Sequence, residues 1–117
     1  MRTLLASILL TAVLPLLSAW ASEYAPLNCS RAKTPADRTI CRNYALGQRE
    51  ARMATLFAVT TSLIAMGQRG DIQDAQRAWL GRREACGDRV ACLIKAYDAR
   101  IDELNTVLKA IAARGPF

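Results

Sequence analysis

Apolar residues recur at helical spacing along most of the chain. Val90, Ile94, Tyr97, Ile101, Leu104, Leu108 and Ile111 follow one another in steps of four and three. That rhythm puts all seven on one side of a helix and predicts a seam for packing against another helix. Leu46, Met53, Leu56, Phe57, Thr60, Leu63 and Ile64 form a second stripe, on a long helix predicted from Ala45 to about Met66. A third, with Ile72, Ala75, Trp79, Leu80 and Cys86 on one face, lies on "DIQDAQRAWLGRREAC". Ahead of them "TPADRTIC" opens a short helix that ends near Asn43. Thr34 is a good N-cap, Pro35 suits the first helical position, and Asp37 favours the positive helix end. The stretch before it, residues 22–33, has little periodicity and reads as an ordered strap.

The breaks between stripes complete the prediction. "GQRGD" is expected to separate the second and third helices, with Gly67 as the stop and Asp71 as the next N-cap. Gly87 is expected to stop the third helix, Asp88 to cap the fourth, and Arg114-Gly115-Pro116 to end it. No alternating strand pattern, internal repeat or low-complexity tract appears. The expected fold class is all-α: a small antiparallel bundle or hairpin array of about four helices, two long and two shorter.

The first residues change the picture of compartment. Arg2 precedes an apolar run over residues 3–17, and Ala19-Trp20-Ala21 has small residues where a signal peptidase needs them. This predicts a secretory signal peptide over residues 1–21 and a single domain over 22–117. The run is short of the roughly 20 residues a spanning helix needs. Removal of Arg2 leaves 15 basic against 10 acidic residues, a net charge of +5. In an exported protein such a charge suits an anionic envelope surface, lipid or glycan, or an acidic protein, rather than nucleic acid.

All four cysteines, Cys29, Cys41, Cys86 and Cys92, follow the predicted leader. Zinc would want closer cysteine spacing or histidine partners, and the chain has no histidine. Cys86 and Cys92 are too far apart for a thioredoxin-type pair. Two disulfides are expected, with three pairings open. A Cys86–Cys92 bond would pin the corner between the third and fourth helices. A Cys29–Cys41 bond would tie the strap to the first. The protein is therefore placed in the periplasm or outside the cell.

Catalytic chemistry is thin. Without histidine there is no side chain that ordinarily serves as a base near pH 7. No nucleophile elbow or phosphate loop occurs. Asp98 and Asp102 stand one helical turn apart with Glu103 beside them, yet Lys95 and Arg100 flank them as ion-pair partners would. The chain is read as a non-enzyme with no catalytic residue, metal or cofactor. Glu50, Arg83 and Arg100 lie close to apolar faces, and a buried ion pair between Glu50 and one of those arginines is expected. Trp79 and Tyr97 are expected in the core. Arg69, Arg77, Arg82, Arg83 and Arg89 gather around the third helix as a candidate basic face.

The segment "QRAWLGRREACGDRVACLIKAYDARIDEL" resembles the hallmark of the LprI-type lysozyme-inhibitor domain of exported bacterial proteins. Gln76, Trp79, Leu80, Arg83, Glu84, Cys86, Cys92, Tyr97, Arg100, Ile101 and Leu104 carry the likeness. "NCSRAKTPADRTIC" resembles the family's opening, and 46–57 its next helix, with Arg49-Glu50 where the family has Leu-Asp. The resemblance implies an exported, disulfide-containing helical domain that binds lysozyme or another peptidoglycan hydrolase and occludes its cleft. Asp98, Asp102 and Glu103, Arg82 and Arg69, or the Gly67–Asp71 stretch, are the candidate contacts. Two other readings keep the scaffold: an immunity protein against a delivered toxin, and an envelope module docking anionic lipid or glycan through its arginines. The seam of the fourth helix suits packing within the chain or against a second copy.

Overall fold

Four α-helices and one 3₁₀ turn make up residues 26–115, which the computed structural model describes. The 3₁₀ turn is Cys29–Arg31; α1 spans Pro35–Arg42, α2 Tyr44–Leu63, α3 Met66–Ala85 and α4 Val90–Ala112. The described residues contain no strand, and the fold is all-α. The expected leader over residues 1–21 lies outside them. None of these helices is long and apolar enough to cross a membrane.

The chain order of contacts gives the topology. Glu50 of α2 meets Tyr97 of α4, and Ile64, just past α2, lines the same dimple as Ile111, so α2 and α4 run parallel. Trp79 of α3 reaches Ala96 and Arg100 reaches back to Ile72, so α3 runs antiparallel to α4. The result is an up-down-up bundle. The short α1 and the N-terminal strap close the end where α2 and α4 begin.

Local chemistry sets most boundaries as the sequence predicts. Thr34 caps α1, its hydroxyl accepting from Asp37 N at 3.0 Å. Asn43 closes α1 and caps α2, its Oδ1 accepting from Leu46 N at 3.1 Å. Gly87 takes φ +59°, the left-handed conformation that ends α3 without a Cβ penalty.

Three expectations fail. α3 does not start at Asp71. It runs from Met66 straight through Gly67 and Gly70, and the break falls at Ile64 and Ala65, both extended. Thr60, Thr61 and Ser62 bond back to carbonyls three or four residues earlier, a pattern that weakens helices, and the extended pair folds Ile64 onto the core. The N-cap of α4 is Arg89 rather than Asp88, and no side chain caps it. Arg89 instead turns back to the carbonyls of Ala85 and Cys86. The buried faces also shift. Ala75 is exposed and Gln76 takes its place in the core, while Leu63 and Val90 are exposed at helix ends and Leu93 is buried.

Leu46, Met53, Phe57, Trp79, Leu93, Tyr97 and Leu104 form the centre of the apolar core. Both disulfides, Cys29–Cys41 and Cys86–Cys92, lie at one end of the bundle, where α1, the end of α3 and the start of α4 meet. The chain-entropy account of cross-links gives about 2–3 kcal/mol for loops of these lengths. Replacement of either cysteine pair by serine should lower stability by about that amount in urea titration, the longer Cys29–Cys41 loop losing slightly more. Gly87→Ala should cost about 1 kcal/mol through φ alone, since open space surrounds the position.

Candidate functional site

The polar groups of this protein fall into two sets: a buried network and three surface grooves around it. The network starts at Arg83, whose side chain is 7% exposed. Its guanidinium lies 2.8 Å from Asp37 of α1, 2.6 Å from Glu84 and 3.8 Å from Glu50 of α2, and sits over the Trp79 ring. Glu50 accepts from Leu27 N at 2.9 Å and from the Tyr97 hydroxyl at 2.6 Å. Trp79 meets the edge of Tyr97 and donates to Ala96 O at 2.9 Å. The expected buried partner of Glu50 is thus Arg83.

Arg100 serves a second, adjoining set. Its Nε donates to Gln76 Oε1 at 2.8 Å, Nη1 to Glu103 at 2.8 Å, and Nη2 to Ile72 O at 3.2 Å. Gln76 Nε2 completes the set against Met53 Sδ at 3.2 Å. In these two sets Arg83, Glu50, Tyr97, Gln76 and Arg100 all find partners, as buried polar groups need; outside them, Arg69 Nε is buried without one among the described residues.

Burial and the Glu50 carboxylate push the Tyr97 hydroxyl far above its ordinary value of 10.0. For Arg83, burial opposes the charged form. The hydrogen bond to Glu84 and the surrounding charges outweigh it, and its pKa rises. Both groups stay in one protonation state across the ordinary pH range.

On the surface, Asp98 and Asp102 of α4 face Arg49 and Arg52 of α2 across a groove of about 480 Å3, floored by Ile101. Arg49 Nε is 2.8 Å from Asp98. Glu103 and Arg82 lie elsewhere, on the rims of a groove of about 560 Å3 between α3 and α4, with Lys95, Ala99 and the Cys86–Cys92 disulfide. A third groove, about 350 Å3, lies between the strap and α2 and carries Leu27, Ile40 and the exposed Tyr44. Arg69 belongs to none of them. It is half-buried near the start of α3, and the Gly67–Asp71 stretch offered as a loop insert is helical.

The candidate arginine face disperses on α3. Arg83 is buried, Arg77 pairs with Asp74, and Arg89 caps a helix end. Helical periodicity sends Arg69, Arg77 and Arg82 in different directions. Sequence reasoning passed over Arg49 and Arg52, whose role appears only once the α2–α4 register is known. Among the described residues, no three His, Cys, Asp or Glu side chains gather to hold a metal ion. No family model, curated protein or solved structure matches the chain.

Glu50→Ala would leave Arg83 and Tyr97 short of a buried acceptor. It should cost about 3 kcal/mol and lower the Tm by on the order of 10 °C. Arg77→Ala, which breaks an exposed pair, should stay within about 0.5 kcal/mol. Tyr97 adds an alkaline signature. In the fold it keeps its proton, whereas the unfolded chain releases it near pH 10.0. Its contribution is therefore complete below that pH and falls away as pH rises further. Absorbance titration should show its phenolate only as helical circular dichroism is lost, and Tyr97→Phe should flatten the loss of Tm over the same range.

Proposed function

We propose that this chain is an exported binding protein that inhibits lysozyme or a related peptidoglycan hydrolase by filling its cleft. The observation that carries the reading is where the residues of the LprI-type resemblance meet. Gln76, Trp79, Arg83, Tyr97 and Arg100 are spread over 25 positions of sequence, yet they come together in two adjoining buried sets. The two disulfides suit an oxidising compartment outside the cytoplasm, and the periplasm is the proposed site of action.

The face proposed to enter the cleft is the α2–α4 groove. Its side chains stand on the two helices that carry Glu50 and Tyr97, so little ordering remains to be done on binding. Hydrolases of this class hold a pair of carboxylates in the cleft. The exposed Arg52 suits those carboxylates, and Asp98 and Asp102 suit a basic rim. An occluding surface of this kind needs no chemistry of its own.

Titration of the oxidised protein into cell-wall lysis assays tests the reading, with a chicken-type lysozyme, a goose-type lysozyme and a phage-type muramidase as targets. Stoichiometric inhibition of one of them is expected. Arg52→Glu and Asp102→Lys should each weaken it roughly tenfold, the mark of a contact at the centre of an interface, with the Tm unchanged. Activity of all three enzymes in the presence of excess folded protein would sink the proposal.

A further inference from the structure

The two ends of the bundle differ in kind. Both disulfides and the Arg83 network occupy one end. The other end is made by the close of α2, the start of α3 and the close of α4. Three of its apolar side chains face solvent: Val59 at 38%, Leu63 at 41% and Met66 at 75% exposed. Val59 and Leu63 are one turn apart and share a face of α2. Leu63 also lines a shallow dimple of about 280 Å3 with Ile64, Gln68, Ile111 and Arg114.

The charge of this end is one-sided. Residues 59–70 and 104–115, which build it, hold Arg69, Lys109 and Arg114 and no carboxylate. The nearest acids in sequence, Asp71 and Glu103, lie just beyond these segments. Exposed apolar side chains beside cations, of which Lys109 and Arg114 are exposed and Arg69 half-buried, have the composition of an interfacial membrane contact. The apolar groups enter the headgroup boundary, and the cations meet lipid phosphates.

We propose that this end of the bundle docks on a bilayer rich in anionic phospholipid. A second copy is a poorer occupant, because it would set three cations against three with no carboxylate between them. A stable protein partner commonly buries about 800 Å2 on each side, more than three projecting side chains on a narrow tip supply. The contact is peripheral, since no described helix is apolar enough to span. It uses different residues from the α2–α4 groove and does not depend on the hydrolase reading.

The test uses the protein as an exporting host releases it, oxidised. Vesicles of phosphatidylcholine alone are compared with vesicles that also contain phosphatidylglycerol, by co-sedimentation and by hydrogen exchange. Slowed exchange in 59–70 and 104–115 is expected only with the anionic vesicles, and it should fade as salt is raised. This local protection decides the matter, because an apolar segment elsewhere in the chain could pellet the protein without it. Arg114→Gln, at an exposed helix end, should weaken binding roughly fivefold. Met66→Asp should abolish the protection, with helical circular dichroism unchanged. Equal protection by phosphatidylcholine alone, or parental binding by both variants, would overturn the proposal. So would protection that appears without vesicles and grows with protein concentration.

Discussion

One buried cation holds the arrangement of this fold. Arg83 is largely withdrawn from water, and a charge in that position is tolerated only when its partners are in place. Those partners come from Asp37 on α1, Glu50 on α2 and its own neighbour Glu84, with Trp79 beneath. Glu50 extends the contact to Tyr97 on α4 and to the strap through Leu27 N. All four helices therefore meet in this one cluster. A slip of α3 by one residue would turn Arg83 by about 100° and strand it away from all of them. Apolar packing alone tolerates such slips far better, because Leu, Ile and Phe contacts carry no direction. The ion cluster thus supplies register, and the surrounding hydrophobic side chains supply most of the driving force.

The same register reaches the surface. Glu50 and Tyr97 meet on the inner side of the α2–α4 contact, and their chain neighbours Arg49 and Asp98 meet on the outer side. The two pairs form consecutive layers of one rung. An exposed ion pair is usually worth little and holds no fixed geometry. This one inherits its geometry from the buried pair behind it. Far from the rung the constraints thin out. At the opposite end neither disulfide nor ion cluster is present, and Thr60, Thr61 and Ser62 loosen the close of α2. Stability graded in this way lets one end present a fixed shape while the other adapts to what it meets.

Much of this was legible in the residues. The Thr-Pro-x-Asp start of α1, the stop at Gly87 and the centres of the three apolar stripes follow local rules, and the structure keeps them while moving residues at the stripes' edges. A buried partner for Glu50 could be expected from an acid on an apolar face. Other features depended on distant parts of the chain. Gln76 reads as a polar surface residue until Arg100 and Met53 are brought to it from other helices. Local rules put the α2–α3 break between Gly67 and Asp71, yet three hydroxyls and one isoleucine set it at Ile64 and Ala65. Asp37 reads as a helix-dipole residue, and only the packing of α1 on α3 gives it Arg83. Arg49 and Arg52 were missed because a groove between two helices has no signature on either one.

The residues that carry the resemblance are interior ones, and this bears on how the outside works. Interior residues fix a scaffold without fixing its target, so specificity has to come from side chains that local rules leave free. The overall charge of +6 argues against any basic partner. Over distance it does, since long-range repulsion slows encounter. At physiological ionic strength, however, charges are screened beyond about 8 Å. Once surfaces touch, the groove's own charges dominate, and there two carboxylates face two arginines. Net charge then sets how fast a complex forms, and the local pattern sets how long it lasts. A cationic protein can in this way hold a basic enzyme slowly but firmly, provided its acidic side chains are fixed where the enzyme's cations arrive. In this chain the rung beneath Asp98 fixes one acidic side chain of the groove.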